Sequence, residues 1–184
     1  MITRAVYEDR TQLIKLWKIC FDDDDELIDE FLSACDYKNI LVYREEKNVV
    51  SVLYMVPMNH GETVYFYALG TLPEFRNKGI MGILIRKALD ICRNNGAKFA
   101  FLIPAEESLE KYYEKFGFFG RILLADDKCD FFLRPDSYGI TEFVKKEESH
   151  EKAGTKHELY GAYNALAYVF EGALPEKIAG YIPF

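Results

Sequence analysis

The chain has 184 residues, 49% of them apolar and 15% aromatic, which fits one compact domain with an appendage. No apolar run approaches the roughly 18 to 20 residues that span a membrane, and the start MITRAVYEDR lacks the apolar segment of a signal peptide, so a cytoplasmic protein without a membrane partner is expected. A formal charge of −7 argues against nucleic-acid binding, which draws its affinity from clustered Lys and Arg, and reads instead as an aid to solubility.

Ile2 to Val6 reads as a short first strand, after which Leu13, Leu16, Trp17 and Cys20 share one face of a helix. Asp22 to Asp25 place four acids before a second helical stripe, Leu27, Ile28, Phe31, Leu32 and Cys35. Carboxylates at a helix start stabilise the dipole by about 0.3 to 1 kcal/mol each, so a cap and a solvated face are expected there rather than a metal site. Ile40 to Arg44 and Val49 to Met58 read as an antiparallel hairpin across the polar stretch Glu45 to Asn48. A turn at Asn59 to Glu62 feeds a strand from Val64, and a helix follows from Gly79 to about Asn94, stopped by Asn95-Gly96. Phe99 to Ile103 is the expected fifth strand, parallel to the fourth because a helix joins them. Glu106 to Phe116 reads as a short helix broken by Gly117, and Ile122 to Ala125 with Asp130 to Leu133 as a closing pair of strands.

Arg134 to Gly154 is polar and weakly patterned, the character of a segment that links or wraps. Thr155 to Glu158 then has the spacing of a capping box, and Leu159, Tyr163, Leu166 and Phe170 form an apolar stripe ending near Gly172. An amphipathic helix over about 156–171 is therefore expected, followed by an apolar tail to Phe184. Cys20, Cys35, Cys92 and Cys129 form no CxxC pair and read as reduced thiols, while His150 and His157 have no metal-ligand spacing. No metal site is expected.

The stretch Val64 to Ile85, VYFYALGTLPEFRNKGIMGILI, carries the chemistry. A strand, a tight turn and a helix opening on glycine present unpaired N–H groups and the positive end of the helix dipole to an anion. Gly79 admits close backbone approach, and Arg76 and Lys78 can pair with phosphate oxygens. Neither the Walker spacing nor a GxGxxG fingerprint is present.

TLPEFRNKGIMGILI resembles the acyl-CoA signature of the GNAT acyltransferase superfamily, in which Arg or Gln is followed by two residues, Gly, one residue, then Gly or Ala. Arg76 and Gly79 match, and Met81 stands where the second small residue usually falls. Such a bulky residue is familiar in the enhanced-intracellular-survival branch, whose N-terminal acetyltransferase domain the chain most resembles. Leu102 to Ser108 is similar to the end of the fifth strand in that branch, and Lys111 to Phe118 to the superfamily's YEKxGF helix end.

The resemblance implies an α/β (α+β) fold with a mixed, mostly antiparallel sheet, a splayed parallel central strand pair and flanking helices. Residues 1–135 would form the acetyltransferase domain and 136–184 a C-terminal extension. It further implies acetyl-CoA as cosubstrate and transfer of acetyl to a primary amine of a small molecule or peptide. Backbone N–H groups of Asn77, Lys78, Gly79, Ile80, Met81 and Gly82 would hold the pyrophosphate beside Arg76, and Thr71 and Leu72 would offer main-chain groups to the pantetheine. Gly70 is the candidate bulge that opens the gap. Tyr113 aligns with the tyrosine that protonates the CoA sulfur, and helical geometry separates it from Tyr112 by about 100°, so that one of the two faces the cleft.

The base is not assigned. Relatives carry a glutamate on the fourth strand, whereas Val64 to Leu72 holds no acid. Glu62, Glu74, Glu106, Glu107 and His60 lie nearby and read as surface groups; a water relay and the terminal carboxylate at Phe184 stay open. An alternative of another class is a non-catalytic acyl-CoA-binding module. The extension is open to three readings: packing on the core, forming a homodimer, or being the remnant of a second domain.

Overall fold

A computed structural model describes residues 1–124, 132–133, 136, 164–172 and 177–180 of the chain. Its elements in order are β1 (Ile2–Arg4), α1 (Arg10–Phe21), α2 (Asp25–Ala34), β2 (Ile40–Glu45), β3 (Asn48–Met58), β4 (Thr63–Thr71), α3 (Ile80–Asn94), β5 (Phe99–Leu102), α4 (Glu110–Glu114), β6 (Gly120–Leu124), β7 (Phe132–Leu133), β8 (Asn164–Val169) and β9 (Lys177–Gly180). Among the described residues the strand order is β1-β2-β3-β4-β5-β8-β6-β9-β7. The pairs from β1 to β4 are antiparallel, and β4 with β5 is parallel, as a helical crossover requires. This is the expected mixed, mostly antiparallel sheet with flanking helices.

The sheet is covered on both faces, and strand periodicity decides which side chain goes where. In β3, Val52, Tyr54, Val56 and Met58 join the cluster built with α1 and α2, while Leu53 and Met55 join the one beneath α3. β4 divides the same way, with Tyr65 and Tyr67 on the first face and Val64 and Phe66 on the second. Trp17 of α1 fixes the first face. Its ring centroid lies 5.1 Å from Phe31, 5.1 Å from Tyr54 and 5.7 Å from Tyr67, in the tilted and edge-on geometries that aromatic quadrupoles favour.

The four-acid run turns out to be a helix junction in which every member has a structural task. Asp22 closes α1 in the left-handed conformation (φ 61°), and Asp23 Oδ2 accepts from Trp17 Nε1 at 2.7 Å. Asp24 caps α2 by accepting from Leu27 N at 2.9 Å, and Asp25 pairs with Lys18 at 2.9 Å.

Parallel pairing of β4 with β5 runs only from Thr63↔Phe99 to Tyr65↔Phe101, whereas β4 continues to Thr71. The two strands therefore part beyond Tyr65. The bulge that accompanies this parting is not at Gly70. Register with β3 passes from Val52↔Gly70 to Tyr54↔Tyr67, so Ala68 and Leu69 together oppose Leu53, with Ala68 at φ 44°. Gly70 is small for another reason: a Cβ there would lie 3.0 Å from Leu16 Cδ2 and 3.2 Å from Cys20 Sγ, where α1 crosses the strand.

Two expectations for the C-terminal part are corrected. Asn164–Val169 is a strand, not the second half of a helix over 156–171; it lies between β5 and β6, antiparallel to both. Ala165 and Ala167 face the α1–α2 cluster and Leu166 the α3 cluster, so the strand is apolar on both sides and its stripe does not distinguish period 2 from 3.6. β6 and β7 do not pair with one another as a closing hairpin; β9 lies between them, parallel to each. Residues 156–163 of the expected helix, the terminal Phe184, Cys129, His150 and His157 lie outside the described residues.

Candidate acyl-CoA cleft

A cleft of about 690 Å³ opens where β4 and β5 part. Leu69, Gly70 and Thr71 of β4 form one side, Cys20 and Phe21 from the end of α1 another, and Leu109, Tyr112 and Tyr113 the side leading from β5. The segment from Phe75 to Met81 forms its mouth.

That stretch leaves backbone donors open at a helix start. A short 3-10 turn, Pro73–Phe75, brings the chain off β4, and Arg76 Nε folds back to donate to the Thr71 carbonyl at 2.9 Å. Asn77 (φ 61°) and Gly79 (φ 75°) are both left-handed, which turns the chain into α3. The first bond across the cap runs from Ile83 N to the Gly79 carbonyl at 3.2 Å. Among the described residues, no backbone acceptor meets the amides of residues 77–82. They are the donors a helix start leaves open, at the positive end of its dipole.

Thr71, Arg76, Asn77, Gly79, Ile80, Met81 and Tyr113 are brought together on the wall of this cleft. Leu72, Lys78 and Gly82 stand differently. Leu72 faces a neighbouring cavity of about 340 Å³, its N–H donates to the Val50 carbonyl at 3.0 Å and its carbonyl accepts from Phe75 N at 2.9 Å. Its main-chain groups are thus committed within the protein. Lys78 Nζ sits 4.8 Å over the Phe75 ring. Gly82 is packed beneath Phe116, so its small size serves the seating of α4 on α3. Gly79 has open space around the position of a Cβ, and its positive φ is what calls for glycine. Thr71 Oγ1 meets Ser51 Oγ at 2.8 Å; because Ser51 also donates to the Gly70 carbonyl, Thr71 is the donor of that pair.

Tyr113 is 8% exposed, and burial, helped by neighbouring Tyr112, pushes its phenol up to about 12. It stays protonated at neutral pH. Tyr112 also reaches the cleft, contrary to the expectation that only one of the pair would; the two rings meet edge-on with centroids 5.4 Å apart. Its phenol is likewise raised by burial, an effect that Arg86 partly offsets. Cys20 was expected as part of one helix face and as a reduced thiol. Its thiol lines the cleft beside Arg76 and Thr71, and burial raises its pKa although Arg76 opposes the shift.

Of the acids and the histidine near the motif, Glu106 alone reaches the cleft wall among the described residues. Glu62 is paired with Lys98 at 2.7 Å, and Glu74 lines the neighbouring cavity. Among the described residues there is no group of His, Cys, Asp and Glu that could hold a metal ion, and no helix long and apolar enough to cross a membrane.

The family model described as Acetyltransferase (GNAT) domain matches residues 2–120, well over half of the chain. The chain belongs to the GNAT acetyltransferase family. No curated protein sequence matches this GNAT domain. A GNAT acetyltransferase from Staphylococcus aureus Mu50 superposes with a TM-score of 0.62 at 12% identity, covering 93% of this chain and 99% of that one. A GNAT-family acetyltransferase from Brucella melitensis in complex with acetyl-CoA gives 0.53 at 22% identity, covering 65% and 82%. A GCN5-related N-acetyltransferase from Anabaena variabilis gives 0.55 at 22% identity, covering 68% of this chain but 32% of its own. This GNAT domain thus spans about a third of that last protein. At these identities the likeness concerns the fold.

Proposed function

We propose that this GNAT domain is an acetyl-CoA-dependent N-acetyltransferase acting on a primary amine of a small molecule or peptide. The observation that carries the reading is the set of open amides over residues 77–82 beside Arg76, at the mouth of a cleft whose inner wall holds Tyr113. Arg76 and those amides take the pyrophosphate, because a helix start and a guanidinium together match its charge and acceptor geometry. The pantetheine runs along the edge of β4 that β5 leaves open, past Leu69, Gly70 and Thr71, and Leu72 is not part of that contact.

The amine must be neutral to attack. An alkylammonium with the pKa of lysine lies about 3.4 units above pH 7, so freeing its lone pair costs about 4.6 kcal/mol. Attack on the thioester carbonyl forms the C–N bond, the C–S bond breaks as Tyr113 gives its proton to the departing thiolate, and the nitrogen sheds its extra proton to water, from which Tyr113 is reprotonated. A phenol that burial keeps protonated is suited to that role. The formal charge of −7 favours a cytoplasmic enzyme acting on soluble amines. The likeness to the enhanced-intracellular-survival branch rests on Met81 and the segment from Leu102 to Ser108.

The second reading is a non-catalytic acyl-CoA-binding module, favoured by the lack of an acid in Val64 to Leu72. A thermal-shift titration of the full chain with acetyl-CoA tests both. At about 100 times the dissociation constant, the ligand should add roughly 2.7 kcal/mol of stability. No shift contradicts both readings; a shift without CoA release from a panel of polyamines, aminoglycosides and peptide N-termini favours the module.

A further inference from the structure

We infer that Glu106 is the acceptor's anionic subsite in the acyl-CoA cleft: the amine enters as a cation, docks on this carboxylate and yields its proton to it. The inference rests on the acetyl-transfer reading and supplies the base that reading lacks.

Glu106 is the carboxylate on the cleft wall among the described residues. Its position in the chain makes this informative. Glu106 is the N-cap of the 3-10 turn Glu107–Leu109, with its carbonyl accepting from Leu109 N at 3.0 Å, yet its side chain makes no capping bond. Asp24 and Asp36, at equivalent places before Asp25–Ala34 and Tyr37–Asn39, both spend their carboxylates on backbone amides. A side chain that neither caps nor forms an ion pair with a described residue, and that borders a cleft, is available to a ligand.

A second observation points to the same place. The turn that begins at Glu106 runs directly into α4, which carries Tyr113. Tyr113 is 8% exposed as a residue, lines the cleft, and its hydroxyl has no hydrogen-bond partner among the described residues. One short segment therefore brings a proton acceptor and a proton donor to one wall, while the open amides stand on the segment after β4. The other titratable or charged groups facing the cleft are Cys20 on α1, Arg76 in the turn and Tyr112 on α4.

The proton balance closes with these groups. The ammonium N–H proton passes to the Glu106 carboxylate, directly or through one water, and the freed lone pair attacks the thioester carbonyl. As the C–S bond breaks, the thiolate takes the Tyr113 proton. The nitrogen, which still carries a second proton after attack, gives it up to water as the amide forms. Tyr113 is reprotonated by the proton held on Glu106, or each exchanges with solvent, so that of the two protons the ammonium loses one ends on the CoA thiol and one is released for each acetylamide and CoA formed.

The test uses the full chain, Glu106→Gln and Glu106→Asp, with two kinds of acceptor: the alkylamines cadaverine and spermidine, cationic at pH 7, and 4-methoxyaniline, neutral at pH 7. For Glu106→Gln, kcat/KM for the alkylamines should fall about a hundredfold, within the usual range for loss of a general base, and recover as pH rises toward the amine pKa. The arylamine rate and the acetyl-CoA dissociation constant should change less than about threefold, and Glu106→Asp should restore part of the alkylamine rate. An unchanged alkylamine rate, or an equal loss for both classes, overturns the role of Glu106. So does a wild-type chain that binds acetyl-CoA and acetylates only the arylamine, or no amine tested. Failure of the wild-type chain to bind acetyl-CoA overturns the acetyl-transfer reading itself, and this inference with it.

Discussion

Gly82 lies directly beneath Phe116: a Cβ at residue 82 would come within 2.9 Å of Phe116 Cζ and 3.1 Å of its Cε1. Phe116 follows α4, and the Arg86 guanidinium covers its ring at 5.0 Å while donating to the Gly82 carbonyl at 3.3 Å. The helix carrying Tyr113 is thereby seated on the first turn of the helix whose start leaves backbone donors open. Gly82→Val should cost about 1 to 3 kcal/mol by overpacking. In a Phe116→Ala background the same change should cost clearly less, which a double-mutant cycle from urea unfolding would read. Equal costs in both backgrounds would show that the contact is not the reason for glycine.

Arg76→Ala should weaken acetyl-CoA binding by about 1.5 to 3 kcal/mol, roughly 10- to 150-fold, the usual worth of hydrogen bonds to charged groups. Lys78→Ala should cost less, because that ammonium sits over the half-buried Phe75 ring and Lys78 itself does not line the cleft. Isothermal titration of the two variants would rank them.

Tyr113→Phe should lower kcat by about a hundredfold or more while leaving the dissociation constant for acetyl-CoA within a few-fold. The hydroxyl makes no hydrogen bond within the described residues, so its removal should not unfold the chain. A kcat within threefold of wild type would move the acid elsewhere, with Tyr112 the next candidate on that wall.

Stability should fall on the alkaline side. Burial pushes the Cys35 and Cys92 thiols and the Tyr113 phenol each up to about 12, from ordinary values of 9.0, 9.0 and 10.0. Between the ordinary and the raised values the folded chain holds protons that the unfolded chain has lost, so each contribution is intact below the ordinary value and declines as pH rises toward about 12. Urea midpoints should therefore drop above about pH 9, and Cys92→Ala should drop less steeply than wild type.

Acid acts through Asp9. Burial alone would raise its carboxyl, but the Arg44 guanidinium, with bonds of 2.9 and 2.5 Å, and the Val6 amide at 2.8 Å outweigh this and hold it below the ordinary value. That stability is present above the ordinary Asp value and is lost as pH falls through the lowered one. Asp9→Asn leaves Arg44 only 15% exposed without its partner and should cost about 3 kcal/mol. It should also flatten the acid limb of a denaturation profile.

How much of this was legible in the sequence follows from how local each feature is. The strand, turn and helix around Arg76 and Gly79 could be read because the turn chemistry and the helix start lie within a few residues of each other. The caps of α2 and the αL end of α3 at Asn95-Gly96 were readable for the same reason. β8 was not, since a strand with two buried faces carries no alternation and its neighbours β5 and β6 are distant in sequence. The bulge at Ala68 carries no glycine to mark it, and Gly70 and Gly82 owe their size to Leu16 and Phe116, which only the packed structure brings close. The cleft wall was half legible: Tyr113 is marked by its motif, whereas Cys20, Phe21 and Glu106 are placed by the crossing of α1 and by the turn after β5.

The claim on which the rest depends is that acetyl-CoA occupies the cleft between β4 and β5 with its pyrophosphate on the start of α3. Titrating acetyl-CoA into the wild-type chain and Arg76→Ala by calorimetry tests it most directly. Saturable one-to-one binding by the wild type, weakened at least tenfold in the variant, is the expected result. No binding, or equal affinity in the two chains, would contradict it.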